Sequence, residues 1–311
     1  MARMTDKTKG LWLAISGCTC WGMSGVAAQY LFTKTTVTPM WLVGVRLFIA
    51  GILLIIWGLV TSPKTVFGVW RHWQDAVMIV VFAFCGMIPS QFSYFMAIKY
   101  GNAPTATILQ FLGPLFIIAY IAIAHWRLPR RIDVVSMAIA LFGTYLLVTK
   151  GQFDSLALAP IAVFWGVMAA VGQALYTLTP IRLLKQFDAK LVTGWAMLVG
   201  SLAFMPHVVI GPMPHLSALG WGAVLFVATI GTMLAYMLYL QSLKYILPAT
   251  TGMLSSFEPL TATVLSILIL HTAFGLPEML GGLFILATAF IQAWAVHRVP
   301  TVKKKRRPNR V

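Results

Sequence analysis

Long apolar runs, each about the length of a membrane span, recur along almost the whole chain of 311 residues. A transmembrane helix needs about 20 mainly apolar residues. Because backbone polar groups have no water to pair with inside a bilayer, such runs predict helices that cross the membrane. The pattern predicts an all-α membrane protein with ten transmembrane helices, at 11–32, 40–60, 76–96, 103–124, 132–149, 156–178, 191–210, 216–240, 249–270 and 275–296.

The composition supports this prediction and excludes a separate soluble domain. Asp, Glu, Lys and Arg make up 10% of the chain, whereas a soluble domain has about 25%. The three cysteines, Cys18, Cys20 and Cys85, all fall inside predicted spans and give no disulfide framework. The six histidines lie in loops or at span ends, so we expect no metal site, no cofactor and no catalytic residues.

The positions of Lys and Arg predict the orientation of the chain. If the N-terminus is cytoplasmic, the loops on the other side contain only Lys34, Lys99 and Lys150, and Arg46 lies inside a span. All other Lys and Arg residues are then cytoplasmic, as the positive-inside rule requires. We therefore expect a multi-pass protein of the bacterial inner membrane with both termini in the cytoplasm.

The two halves of the chain resemble each other. Segments 83–115 and 228–260 align without gaps at an offset of 145, and Trp21-Gly22 and Gln29 recur at an offset of 144. The matches are Ala83/Ala228, Gly86/Gly231, Tyr94/Tyr239, Lys99/Lys244, Tyr100/Tyr245, Thr105/Thr250, Leu109/Leu254, Pro114/Pro259 and Leu115/Leu260, with Trp165-Gly166 and Gln173 upstream.

A five-span unit crosses the membrane an odd number of times, so the second copy must be inverted relative to the first. We predict a cytoplasmic N-terminus at 1–10, a first five-helix repeat at 11–149, a second, inverted repeat at 156–296 and a basic cytoplasmic tail at 297–311. Inverted repeats are typical of alternating-access transporters, whose substrate site lies near the midplane between the repeats. The fold class is thus two inverted repeats around a central cavity.

Several motifs resemble those of the drug/metabolite transporter superfamily, in particular its ten-helix EamA-type exporters. The motifs are the two Trp-Gly pairs, the segment 248–251 with 255–259 behind it, and the matching 103–106 ahead of Gly113-Pro114. The resemblance covers essentially the whole chain and implies a basket of helices around a cavity, with efflux of amino acids or related metabolites. Among members, the chain looks most like aromatic amino-acid exporters of the YddG kind.

Two ionisable residues lie deep within predicted spans. Glu258 is about ten residues into its span, roughly 15 Å deep, which is the midplane of a core about 30 Å thick. It is a candidate contact for a substrate amine or a proton-coupling site, with a structural salt bridge as the alternative. Arg46, about 9 Å deep from the other end, could pair with Glu258, extend to the membrane surface or bind a substrate carboxylate.

Aromatic and amide side chains complete the predicted site. Trp21 and Trp165 occupy equivalent mid-span positions and could stack on an aromatic or cationic ligand, or only pack against their neighbouring glycines. Gln29 and Gln173 could line the same side of each half as the tryptophans, or could only meet interfacial water, because they lie near span ends. Prolines within spans kink helices, so they are candidate hinges. The further predicted substrate-binding residues are Gln91, Tyr94, Gln110, Tyr236 and Tyr239, and the hinge candidates are Pro89, Pro114 and Pro259.

These features predict a secondary transporter that exports small metabolites, most of all aromatic or other neutral amino acids. The alternative is a carrier of sugar phosphates or nucleotide sugars, and a more distant one is an intramembrane hydrolase that uses Ser24 of Gly22-Met23-Ser24-Gly25. We expect a small-molecule substrate, anionic lipid at the basic tail, no nucleic-acid partner, and a monomer or homodimer.

Overall fold

The described residues, 6–124, 126, 131–150, 158–246, 250–251 and 254–297, form ten main helices in a computed structural model. Seven of them, α1 to α6 and α8, are long and apolar enough to cross a membrane; α9 and the part Leu276–Thr288 of α10 are shorter apolar helices. The helices are α1 Asp6–Lys34, α2 Pro39–Thr61, α3 Trp73–Tyr100, α4 Ala103–Ala124, α5 Arg131–Thr149, α6 Pro160–Leu178, α7 Ala189–Ser201, α8 Ala218–Ser242, α9 Phe257–Leu270 and α10 Leu276–His297.

The seventh predicted span is not one continuous helix. Residues 191–210 were expected to be helical throughout, but α7 ends at Ser201 and a short helix, Met205–Val209, follows after a tight turn. Pro206 has no N–H group to donate to the carbonyl of Leu202, so an α-helix cannot continue through this point without losing a hydrogen bond. The prediction of the span is therefore corrected to a helix that is broken near its end.

Polar side chains fix where several helices begin. The Thr38 hydroxyl accepts a hydrogen bond from the Trp41 N–H, directly before Pro39 at the start of α2. Asn102 in the same way accepts from the Thr105 N–H at 2.8 Å at the start of α4. Both positions combine an N-cap residue with a proline in the first turn, which are two favourable features of a helix start.

The helix ends fall into two groups on opposite sides of the molecule. We call the side with the loops that carry Lys64, Arg71, Arg182, Lys185 and Lys190 the basic side. There, the Lys190 Nζ donates to the Thr61 hydroxyl at 2.8 Å, so the end of α2 lies beside the start of α7.

The ion pair between Lys150 and Glu278 (2.9 Å) joins the end of α5 to the start of α10 on the opposite side. Helix α1 runs away from the basic side and α6 runs toward it. The two five-helix units are therefore inverted relative to each other, as predicted.

All three hinge candidates lie at irregular parts of helices. Pro89 follows a π-helical segment of α3, Phe82–Met87, and Pro114 follows a two-residue turn at Phe111 and Leu112 that divides α4. Pro259 lies in the first turn of α9, directly after a turn at Ser255 and Ser256. Hinge motion itself stays a prediction.

A second π-helical segment, Thr229–Leu234 in α8, was not predicted, because no proline marks it. It overlaps 227–232, the positions equivalent to Phe82–Met87, and is shifted from them by two residues. The Thr232 hydroxyl donates to the carbonyl of Val227 at 2.7 Å and thereby satisfies an acceptor within the widened turn.

Some predictions fall outside the described residues. The expected start of the ninth span at residue 249 and the basic tail from residue 298 onward are among them. Contact of that tail with anionic lipid therefore stays a prediction.

Candidate functional site

A cavity of about 500 Å³ lies between the two halves and is lined by residues of α1, α2, α3, α4, α6, α7, α8 and α9. This volume is within the range of small-molecule sites, about 300–1,000 Å³. The cavity extends to Pro180, Leu184 and Ala189, which lie in and beside the loop between α6 and α7. It therefore reaches the basic side of the molecule.

Most of the predicted site residues line this cavity. They are Trp21, Arg46, Gln91, Tyr94, Gln110, Pro114, Tyr236, Tyr239 and Glu258. Trp165, Pro89 and Pro259 do not line it. The irregular segments beside the three hinge candidates each contribute a residue to the cavity wall, namely Phe82, Phe111 and Ser255. Irregular backbone therefore occurs where side chains from both halves converge.

Glu258 and Arg46 face the same cavity without pairing with each other. Among the described residues, no Lys, Arg or His nitrogen lies within 4.0 Å of the Glu258 carboxylate. These two are also the only charged side chains in the lining that the structure describes. The expected alternative of a direct ion pair is therefore wrong for this conformation. An acidic and a basic group both remain available to a ligand.

The Arg46 side chain is held in place by its neighbours rather than extended to the membrane surface. Its Nη2 donates to Gln91 Oε1 at 2.6 Å, and its guanidinium carbon lies 4.6 Å from the centre of the Phe95 ring. The side chain is 4% exposed and its Nε has no hydrogen-bond partner. Extension to the surface is thus also wrong, and Gln91 orients a cation that retains donors for an anionic ligand.

Aromatic rings form a large part of the cavity wall beside these charges. The Trp21 ring lies 5.0 Å from the rings of both Tyr236 and Tyr239, measured between centroids. Tyr94 lies within 3.0 Å of the Thr107 hydroxyl, which itself donates to the Ala103 carbonyl. The wall thus offers π faces and tyrosine hydroxyls together, a combination suited to an aromatic ligand with polar groups.

Trp165 is the one predicted substrate-binding residue that lies away from the cavity. Its ring packs against Phe92 at 5.6 Å and Phe164 at 5.2 Å, and its indole N–H is buried without a hydrogen-bond partner. The prediction rested on equivalence with Trp21. Trp165 does not line the cavity in this conformation, because α6 is displaced along its partner helix α4 compared with the way α1 packs on α9.

Gln29 closes the molecule on the side opposite the basic loops. Its Oε1 accepts a hydrogen bond from the Ala103 N–H at 2.8 Å, and its Nε2 donates to the Thr272 hydroxyl at 3.0 Å. Ser266 lies at 3.4 Å from the same Oε1. Gln29 is therefore a buried link between α1, the start of α4 and the end of α9, and the interpretation as a water-solvated amide is wrong.

Sequence reasoning did not assign several other residues to the cavity. Gln173 lines it and accepts a hydrogen bond from the Ser90 hydroxyl at 3.0 Å. The sequence left open whether Gln29 and Gln173 line the same side of each half, and Gln173 lines the cavity whereas Gln29 does not. Further lining residues that were missed are Phe82, Tyr176, Thr193 and Ser255.

Ser24, considered as a nucleophile, also lines the cavity. It packs so closely on Gly231 of α8 that any Cβ at that position would meet the Ser24 side chain. Its environment is that of a helix contact. The described residues contain no group of three or more His, Cys, Asp and Glu residues that could hold a metal ion.

Comparisons with known proteins agree with this architecture. The model of the EamA-like transporter family matches residues 8–149 and again 160–294. The chain is 34% identical to the uncharacterized inner membrane transporter YicL of Salmonella typhimurium, over 93% of this chain and 96% of the relative. It is 21% identical to the uncharacterized transporter sll0355 of Synechocystis, over 87% of this chain and 86% of the relative.

A solved crystal structure has the same fold. It superimposes with a TM-score of 0.64 at 19% identity, over 95% of this chain and all of the other. Since the family model covers nearly the whole chain and the relatives are transporters, the chain belongs to the EamA-like transporter family and is a multi-pass membrane transporter, not an enzyme.

Proposed function

We propose that the protein exports neutral amino acids, aromatic ones in particular, from the cytoplasm by alternating access. The observation that carries this proposal is the presence of Arg46 and Glu258 in one cavity without an ion pair between them. An amino acid carries a carboxylate and an ammonium group at the same time. Arg46 would bind the carboxylate and Glu258 the ammonium group, each by a charge-assisted hydrogen bond.

The aromatic wall supports the preference for an aromatic side chain. Trp21, Tyr236 and Tyr239 contribute ring faces or edges that can pack on a ligand ring, and such aromatic pairs are worth about 0.5–1.5 kcal/mol beyond area burial. A sugar phosphate or nucleotide sugar carries more than one negative charge. Arg46 is the only cation in the described lining, which disfavours that alternative.

The distribution of basic loops supports a cytoplasmic opening. The cavity reaches the basic side, and the positive-inside rule assigns that side to the cytoplasm. The closed side, where Gln29 links three helices, would then face outward. In this conformation the transporter would accept a substrate from the cytoplasm, as an exporter must.

The orientation can be tested with green fluorescent protein fused to the C-terminus. The fusion should be fluorescent if that terminus is cytoplasmic.

Exchange in proteoliposomes tests the substrate class. Purified protein is reconstituted in vesicles that contain unlabelled L-phenylalanine, L-tryptophan, L-threonine or glucose 6-phosphate, and uptake of the same compound in labelled form is measured for each. We expect exchange of the amino acids, fastest for the aromatic pair, and none of the sugar phosphate. Exchange of the sugar phosphate alone would contradict the proposal, as would folded protein that exchanges no amino acid.

A further inference from the structure

Trp21 and Trp165 are equivalent by sequence yet differ in their surroundings. Trp21 lies on the cavity wall between Tyr236 and Tyr239, whereas Trp165 is packed against Phe92 and Phe164 outside the cavity. In an inverted repeat, equivalent residues face the central site from opposite directions. The difference between their surroundings therefore shows how far the conformations of the two halves depart from symmetry.

The first helices of the two halves are displaced by about one helical turn relative to their partner helices. Gly22 of α1 packs on the backbone of α9 at Glu258, while the equivalent Gly166 of α6 packs on Leu109 of α4. Leu109 corresponds to Leu254, four residues before Glu258.

A second pair of contacts gives a displacement in the same direction. Gly113, the residue equivalent to Glu258, packs on Ala170 and Gln173 of α6. Ala170 and Gln173 correspond to residues 26 and 29 of α1, four and seven residues from Gly22, so this displacement has the same direction and amounts to about one to two turns. Four residues are about one turn of an α-helix.

The two equivalent glutamines follow the same difference. Gln29 links α1 to α4 and α9 on the closed side, whereas Gln173 lines the open cavity and bonds only to Ser90 of α3 among the described residues. The glutamine link between helices of the two halves is therefore present at one end of the molecule and absent from its equivalent at the other end, among the residues that the structure describes. If α1 packed on its partner helices as α6 does now, and α6 as α1 does now, the basic side would close and the opposite side would open.

The buried indole N–H of Trp165 provides an independent observation. It has no hydrogen-bond partner here, although most buried polar groups in proteins have one, and a buried donor without an acceptor is costly. In the exchanged arrangement Trp165 would have the position that Trp21 has now, on the cavity wall. Its N–H would then reach a ligand or water.

We propose that Trp165 is a substrate-binding residue of the outward-open state and is concealed in the inward-open state described here. The proposal rests on the function proposed above. Trp21 contacts the substrate when it is loaded from the cytoplasm, and Trp165 contacts it when it is released on the other side. The N–H of Trp165 donates to a substrate oxygen in that state, while its ring packs on the substrate side chain.

Thiol labelling tests whether Trp165 becomes accessible. In a background with Cys18, Cys20 and Cys85 replaced by Ala, Trp165→Cys is labelled in intact cells with a membrane-impermeant methanethiosulfonate. Because Gln29→Ala removes the link on the closed side, we expect it to raise the labelling rate about tenfold or more. The matched variant Gln173→Ala should not raise the rate.

A second reporter makes the test independent of how well Trp165→Cys folds. Met168→Cys lies one turn further along the same helix and should respond to Gln29→Ala in the same way. If the labelling of neither reporter rises, the inference is wrong. Equal increases with Gln29→Ala and Gln173→Ala would also overturn it, because the two glutamines would then not act on opposite ends.

Protection by substrate tests the binding role. With Met168→Cys and Gln29→Ala, we measure the L-phenylalanine concentration that halves the labelling rate. Trp165→Phe keeps the ring but removes the N–H, so this concentration should rise about threefold to tenfold. Trp41→Phe is the control, since Trp41 packs on Trp221 away from the cavity, and it should change nothing.

The two proposals fail in different ways. An unchanged protective concentration in Trp165→Phe would contradict a binding role for the N–H. Accessible reporters with no L-phenylalanine exchange by the wild-type protein would contradict the amino-acid substrate but not the exposure of Trp165. Exchange with inaccessible reporters would contradict the present inference alone.

Discussion

Gly113 and Glu258 occupy equivalent positions in the two halves, and each follows a two-residue break in a helix at the cavity. Gly113 has no side chain and lies against Ala170 and Gln173 of α6. Glu258 places a carboxylate in the cavity. The repeated backbone thus creates two similar positions, and the chemistry is supplied by only one of them. Symmetry of the fold therefore does not imply symmetry of the site.

The π-helical segments give a second comparison between the halves. In α3, Phe82–Met87 precedes Pro89, which lacks an N–H group, whereas in α8 Thr229–Leu234 has the Thr232 hydroxyl on the Val227 carbonyl. The same backbone irregularity is accommodated by a missing donor in one half and an additional donor in the other. A π-helical segment thus occurs in the third helix of each half, although the side chains around the two segments differ.

The largest expected effect is the difference in transport between a substitution at Glu258 and one at the equivalent Gly113. Glu258→Gln removes the charge that would bind the substrate ammonium group, and a hydrogen bond to a charged group is worth about 1.5–3 kcal/mol, or about 10-fold to 100-fold in affinity. We expect a fall of this size in kcat/KM for L-phenylalanine exchange. Gly113→Ala should change it only a few-fold, since the added Cβ meets Gln173 at 3.2 Å. Equal losses in both variants would mean that Glu258 acts only through packing.

The next comparison concerns Gln91 and its equivalent, Tyr236. Gln91→Glu is nearly isosteric and places a carboxylate beside the Arg46 guanidinium, where it would compete with the substrate carboxylate. We expect about a tenfold higher KM for L-phenylalanine. Inhibition by L-phenylalanine methyl ester, which has no carboxylate, should change little. Tyr236→Phe keeps the ring beside Trp21 and should raise KM less than Gln91→Glu does. If KM is unaffected in Gln91→Glu, Arg46 does not bind the substrate carboxylate.

The smallest expected effect is on stability. Thr232→Val removes a hydroxyl that donates to a buried carbonyl, and the net contribution of such a hydrogen bond to the free energy of unfolding is about 0.5–1.5 kcal/mol. Thermal unfolding of the purified protein should show a lower midpoint, whereas Thr232→Ser keeps the hydroxyl and should remain close to the wild type. Pro89→Ala restores the missing N–H and should not lower the midpoint. A wild-type midpoint in Thr232→Val would show that the hydroxyl does not stabilise the π segment.

Apolar runs and the internal repeat were enough to predict the ten main helices and the inverted arrangement of the two halves, whereas the orientation in the membrane that the loop charges indicate stays a prediction. The exceptions have local causes. The break in α7 coincides with Pro206, and the π segment of α8 has no proline to mark it. Pro206 and Thr232 are the only side chains that point to these two irregularities, and each residue also occurs in regular transmembrane helices.

The repeat predicted much of the cavity, because Tyr94 and Tyr239 stood out as a matched pair in helices that line it. It did not show that Trp165 lies away from the cavity in this conformation, since sequence equivalence carries no information about which conformation each half adopts. It also failed for Gln29, whose partners Ala103 and Thr272 are far away in the chain. Contacts between distant segments that change with conformation are the hardest to predict from a single sequence.

The proposed site has Glu258 bound to the ammonium group of a substrate whose carboxylate binds Arg46. The most direct test measures inhibition of L-phenylalanine exchange by 3-phenylpropionate, which lacks the amine, and by unlabelled L-phenylalanine. In the wild-type protein, 3-phenylpropionate should inhibit at least about tenfold more weakly. In Glu258→Gln the two compounds should inhibit almost equally, because the group that distinguishes them is gone. A wild-type difference preserved in Glu258→Gln would contradict the account.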